Sequence, residues 1–280
     1  MRSTIFPLLL CCATMLQAAE PKKLHPITPE VIQKIEAAVP QSMKTEIDSD
    51  KKLLVYSTCG GFVHTSISTG EEMFKAIEKK YPRLKFTFEP DPNKFTLEYL
   101  KGFDVFINNN ATQVSKTLSA NQQTALLSFI DQGGSFVGIH SASDAGKIPE
   151  YTKMIGGEFN GHPWTANGTW DFVVMGQGDP SCDCFKSDKF SHKDEIYRHK
   201  DVSADMKVLI KLDENSEVNK SVKNKDGSPV QWSSIPVAWV KNYGKGQVFY
   251  STFGHNPDTF WKPVMVEHFL AGIIGVLPKS

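Results

Sequence analysis

The chain lacks an excess of either charge: Lys plus Arg number 31 and Asp plus Glu 31. A balanced surface makes no field that would gather nucleic acid or an anionic membrane, and neither is expected as a partner. Cysteine is scarce, five in all, and Cys11 and Cys12 fall in an N-terminal apolar run. That leaves Cys59, Cys182 and Cys184, too few for a disulfide scaffold and odd in number. Stability must therefore come from a buried core, which 280 residues can supply. No Gly-x-Gly-x-x-Gly follows the first strand pattern, so a nucleotide cofactor is not expected. There is no internal repeat and no low-complexity tract.

What is present begins with a leader. Arg2 supplies a positive start, residues 5–16 are apolar, and Ala18-Ala19 precede Glu20. Residues 1–19 read as a secretory signal peptide, which predicts a secreted or periplasmic protein. The apolar run is short for a membrane anchor, so no stable insertion is expected once the leader is removed. Residues 20–50 form a polar, proline-rich N-terminal arm with one short helix. Thr28 caps that helix, Pro29 suits its first position, and Val31, Ile32 and Ile35 form its apolar face.

From residue 51 onward the chain alternates. Apolar strand patterns cover 52–57, 84–88, 104–107 and 135–139. Helical patterns lie between them, with capping-box spacing at Ser68/Glu71 and Ser119/Gln122. Such alternation makes a doubly wound, mostly parallel α/β sheet. Later strands fall at 170–175, 207–212, 235–240 and 247–253, with Tyr243-Gly244-Lys245-Gly246 as a hairpin turn between the last two. A helix over 263–274 closes the chain. One domain over 51–280 is the economical reading.

The stretch Gly133-Gly134-Ser135-Phe136-Val137-Gly138-Ile139-His140-Ser141-Ala142-Ser143-Asp144 organises the rest. It ends a helix, runs through a strand and stops at an imidazole. In open α/β sheets ligands bind beyond the carboxyl ends of strands, where His140 falls. His64 follows the first strand, His162 lies in a glycine-flanked loop, and His255 follows the last strand. His140 and His255 should face one pocket, with Gly138 and Gly254 leaving room for a ligand. His25, His192, His199 and His268 sit in polar or helical settings and read as incidental.

Four segments in order resemble the trehalose-utilisation (ThuA-like) family. They are Lys52 to Ser57 with Phe62 to Ile67; Gly133 to Ser141 with Gly156 to Pro163; Asp194-Glu195-Ile196-Tyr197; and Tyr243 to Tyr250 with Gly254-His255. The resemblance spans about residues 50–277. It implies a class I glutamine-amidotransferase-like (flavodoxin-like) fold and a role in sugar metabolism. Working amidotransferases carry a nucleophilic cysteine on the turn after a central strand. Gly138-Ile139-His140-Ser141-Ala142 has none, so amidotransferase activity is not expected.

The candidate catalytic set is His140, His64, His162, Glu195 and His255, working as general acids and bases. Asp144 would orient His140 or cap the following helix. Trp164, Ser141, Asp144 and Tyr197 are candidate substrate contacts, with the indole of Trp164 offered to a sugar face. A zinc-like divalent metal on His64, His140, His162 or His255 is the other chemistry open to these residues, although no local ligand signature appears. The partner expected is a small carbohydrate. The function expected is hydrolase- or lyase-like processing of a sugar or oxidised (keto) glycoside, the alternative being a non-catalytic sugar-binding module.

Overall fold

A computed structural model describes residues 24–231 and 234–278. The leader, residues 1–19, lies outside the described residues. The arm contributes α1 (Pro29–Ala38), capped by Thr28 Oγ1 accepting from the Val31 N–H, with Pro29 in its first turn. Its buried Ile35 and Ala38 join the core that also holds Met73, Phe74 and Ile77.

Five strands form the parallel half of the sheet: β1 (Lys51–Tyr56), β2 (Leu84–Phe88), β3 (Val105–Asn109), β4 (Ser135–Ile139) and β11 (Gly246–Ser251). Their order is β2-β1-β3-β4-β11. Four more extend it antiparallel beyond β11: β10 (Pro236–Tyr243), β9 (Lys207–Leu212), β6 (Thr169–Val174) and β7 (Lys189–Lys193). Two short strands, β5 (Glu158–Phe159) and β8 (His199–Lys200), pair separately. The fold is thus the doubly wound α/β class with an added antiparallel wing.

The period of the strands explains why both faces are covered. In β1, Leu53 and Val55 enter one apolar cluster while Leu54 and Tyr56 enter the other. Side chains alternate across a strand, so a strand apolar at every position needs helices on both sides. On the first face lie α1, α2 (Ile67–Lys80) and α7 (Pro263–Gly275). On the second lie α4 (Ala120–Asp131) and α5 (Pro149–Ile155), with the short α3 (Leu97–Leu100). One more short helix, α6 (Glu217–Lys220), sits beside β6.

The local signals divide. Ser119 and Gln122 form the full reciprocal capping box of α4. Ser68 does not cap α2: that helix begins at Ile67, and the Ser68 hydroxyl donates to the His25 carbonyl instead. Ser68 lies inside the helix rather than before it, so its hydroxyl makes that tertiary contact instead of a cap. The turn at Gly244 is realised with φ +55, where a Cβ would meet the Asp131 carbonyl at 2.6 Å. No helix among the described residues is long and apolar enough to cross a membrane.

Candidate functional site

The carboxyl ends of the parallel strands lie on one edge, and the histidines collect there. His140 directly follows β4 with φ +46. A non-glycine residue in this region costs of order 1 kcal/mol, so the surroundings must hold it. They do so at both ends of the residue. The Tyr250 hydroxyl of β11 donates to the His140 carbonyl at 2.6 Å. His140 Nδ1 lies 2.7 Å from the Thr252 carbonyl, an acceptor, so Nδ1 carries the proton and Nε2 keeps a lone pair. The side chain is fully buried.

His64 comes from the loop after β1 and His255 from the turn after β11. The three rings of His64, His140 and His255 sit with centroids 4.8, 5.1 and 5.2 Å apart and planes 88°, 86° and 80° to one another. Three mutually perpendicular imidazoles leave nitrogens facing a common space. His64 Nδ1, His140 Nε2 and His255 Nδ1 are all buried without a hydrogen-bond partner.

Glu195 closes the group from the antiparallel wing, on the segment that links β7 to β8. Its Oε1 is 3.2 Å from His255 Nδ1 and 3.7 Å from His140 Nε2, and its Oε2 is 3.1 Å from His162 Nδ1. Burial alone would raise this carboxyl. The contacts from His162 and His255 and the field of His140 outweigh it and hold Glu195 ionised, well below the usual carboxylate range. His162 responds in the opposite sense. The Glu195 carboxylate raises it above an ordinary histidine. Burial, then the neighbouring His140 and His255, push His64 down to about 2. Burial and His255 lower His140 to about 4. The site therefore pairs neutral imidazoles able to take a proton with one His162–Glu195 couple able to give one.

The backbone carrying His255 is pinned from several directions. Asp194, fully buried, accepts the Gly254 N–H at 2.7 Å, the Asn256 N–H at 2.8 Å and the Thr259 hydroxyl at 3.0 Å. Ser66 and Asn110 donate to the Gly254 carbonyl. Asp194 and Thr252 are the residues that sequence reasoning missed as site-building groups. Asp194 stood beside Glu195 in a quoted segment, but nothing in its spacing marks a buried carboxylate.

The remaining candidates fall in different places. Tyr197 lies against His140 with ring centroids 4.3 Å apart and is nearly buried, so it forms a wall of the site. Trp164 is corrected to a core residue: it is fully buried and its indole N–H donates to the Asn219 carbonyl. Ser141 is also fully buried, with its hydroxyl on Asn110 Oδ1. Asp144 neither orients His140, which Thr252 does, nor caps α5, whose cap position is Ile148. His255 does not cap α7, whose cap position is Lys262. Gly138 and Gly254 make close packing rather than ligand space, since a Cβ would meet Tyr250 at 2.9 Å and Ile139 at 3.0 Å respectively. His199, read as incidental, packs beneath the site, its Nε2 3.1 Å from Ser143 Oγ and 3.3 Å from Tyr250 Oη.

The chain matches the family described as Trehalose utilisation (ThuA) over residues 52–274. It belongs to the ThuA family. Among solved structures it resembles a ThuA-like protein from Bacteroides uniformis at 19% identity and TM-score 0.68, covering 83% of this chain and 94% of that one. A ThuA-like protein from Parabacteroides merdae gives 17% identity and TM-score 0.56 over 83% and 93%. A cytoplasmic protein from Salmonella typhimurium gives 10% and TM-score 0.56 over 82% and 100%. No curated protein matches it in sequence. At these identities the likeness of structure shows the fold alone, a ThuA-like α/β fold. This ThuA chain carries His140 on the turn after β4.

Proposed function

We propose that this ThuA-family chain is an exported carbohydrate-processing enzyme, hydrolase- or lyase-like on a sugar or an oxidised (keto) glycoside. The observation that carries the reading is the convergence of His64, His140 and His255 on Glu195, with three buried ring nitrogens unpaired. A buried, bond-poor polar group costs stability, and such groups persist where a ligand completes them. The family's description, trehalose utilisation, supports a sugar as that ligand.

A keto glycoside suits the charges. The C–H beside its carbonyl is acidic. An imidazole of the site removes that proton, and the electron pair forms the enolate. The enolate then returns to the ketone, its electron pair forming a C=C bond to the neighbouring carbon as that carbon's bond to the glycosidic oxygen breaks, and the leaving oxygen takes a proton from His162. Water added to the new double bond would complete hydrolysis. His162 and His255 lie on the open side, with 36% and 25% of their side chains exposed, and Phe62 stands 66% exposed against His64. These groups are placed to meet an incoming sugar.

Purified protein should be screened against trehalose, other disaccharides and their keto forms. Turnover of one class, lost in His140→Ala, is expected. Binding without turnover, unchanged by His140→Ala, identifies a sugar-binding module instead. Export is tested by mass spectrometry of the protein from its native host. A mature N-terminus near Glu20 is expected, and an intact Met1 in the cytoplasm refutes it.

A further inference from the structure

We propose that His64, His140, His255 and Glu195 are the ligands of one divalent transition-metal ion, zinc in the first instance. The inference rests on the reading above and assigns its site a cofactor that would polarise the keto oxygen. An imidazole bound through its inward nitrogen has no lone pair left, so with the ion in place His162, which is not a ligand, carries the proton.

The donors come from four separate places: the loops after β1, β4 and β11, and the β7–β8 link. One ligand atom from each lies within 4.8 Å of the others. Around a tetrahedral ion with bonds of ~2.1 Å, donor atoms stand about 3.4 Å apart. Glu195 Oε1 already lies 3.2 Å from His255 Nδ1 and 3.7 Å from His140 Nε2.

Three further observations favour an ion over a plain hydrogen-bonded cluster. First, the three imidazoles are orthogonal and donate nothing to one another; their inward nitrogens are unpaired. A hydrogen-bonded cluster would have satisfied them. Second, the outer shell is that of a metal site. His140 is fixed through Nδ1 by the Thr252 carbonyl, which presents Nε2 inward. Glu195 holds its other oxygen 3.1 Å from His162 Nδ1. The His255 turn is fixed by Asp194. Third, His140 and His64 are 0% and 4% exposed, so the space they face is shielded from bulk water. Three imidazoles with one carboxylate select zinc or a neighbouring transition metal over magnesium or calcium.

The test uses full-length protein without a histidine tag, stripped by chelator and dialysed. Titration with Zn2+ against a chromophoric chelator should show one equivalent bound per chain, with Mg2+ at least 100-fold weaker. Co2+ should give visible absorption bands of a low-coordinate nitrogen and oxygen site. His255→Ala should weaken Zn2+ binding at least 100-fold, and isosteric Glu195→Gln at least 10-fold, with circular dichroism unchanged. His162→Ala, which touches only the far oxygen of Glu195, should weaken it less than either. The proposal is overturned if the wild type binds well under one equivalent, if Mg2+ competes equally, or if both His255→Ala and Glu195→Gln retain wild-type affinity. The two readings fail separately. Stoichiometric zinc without turnover of any glycoside sinks the enzyme reading alone. Glycoside turnover by a wild type that binds well under one equivalent of zinc sinks the metal alone.

Discussion

The two edges of the parallel sheet make a useful contrast. At the amino ends lies a cleft of about 540 Å³, bounded by the arm near Ile47, by Pro180 and by the end of α7. Its cations are committed. Lys51 binds the Pro278 carbonyl, Lys207 binds Asp179, and Lys241 binds the Lys153 carbonyl. At the carboxyl ends, His64 Nδ1 and His140 Nε2 are buried in the same cluster as the Glu195 carboxylate without a hydrogen-bond partner. Size marks where helices and loops leave a gap, whereas unsatisfied buried polarity marks where something has to bind.

The strongest way to break this contrast is to mutate both edges. His140→Ala should reduce glycoside turnover by about 100-fold or more, on the order expected when a group the chemistry depends on is lost. Lys207→Ala in the cleft should change it less than about twofold, since it removes one exposed ion pair. Equal losses in a kinetic assay would erase the distinction.

Next in size is Asp194. Asp194→Ala leaves the Gly254 and Asn256 N–H groups and the Thr259 hydroxyl without their acceptor. Urea unfolding should show a loss of about 3 kcal/mol. Turnover should fall with it, because the His255 turn is released. A stable, fully active variant would show that His255 needs no such anchor.

The third prediction contrasts the site with a buried histidine whose nitrogens are both bonded. His268 on α7 lies between the Ser181 carbonyl and Ser251 Oγ, and burial lowers it to about 4. The unfolded chain takes up this proton near pH 6.5, so the unfolded state binds more protons below that value. Its contribution is complete above pH 6.5 and is lost as pH falls toward 4. Between pH 7 and pH 5 its share is about 2 kcal/mol of stability. Urea unfolding of wild type and His268→Gln at both pH values should show a shallower pH dependence in the variant. Parallel curves would refute the assignment.

The smallest effect belongs to Phe62. It is exposed and packs edge-on against His64. Phe62→Ala should shift stability by under ~0.5 kcal/mol, while weakening sugar binding by a few-fold if the ring meets the ligand. Unchanged affinity would place the ligand's approach on the His162 side.

Much of this was legible from the chain alone, and for identifiable reasons. The strand–helix alternation over 51–139 is a local pattern, and β1, β2, β4 and α4 follow it within a residue or two. His64, His140 and His255 could be grouped because parallel strands put their carboxyl ends on one edge. The misreadings share a cause as well. Trp164 beside His162 in sequence resembled a sugar platform, but the bridge from Trp164 to Ile196 turns its ring into the core. Ser68 had the spacing of a cap and found the arm instead. In each case a long-range partner decided the side chain's direction.

The sequence by itself determined the class of sheet, which strands are apolar on both faces, and which turns end in histidine. Those properties follow from periodicity, from glycine and proline, and from strand direction, all of which act over a few residues. Only the tertiary structure decided that Glu195, delivered by the antiparallel wing, reaches His140 across 55 positions of chain. It also decided that Thr252 fixes the His140 tautomer and that Asp194 holds the turn of His255. Each of these depends on the register between strands and on which loop crosses which edge, and no local pattern encodes that.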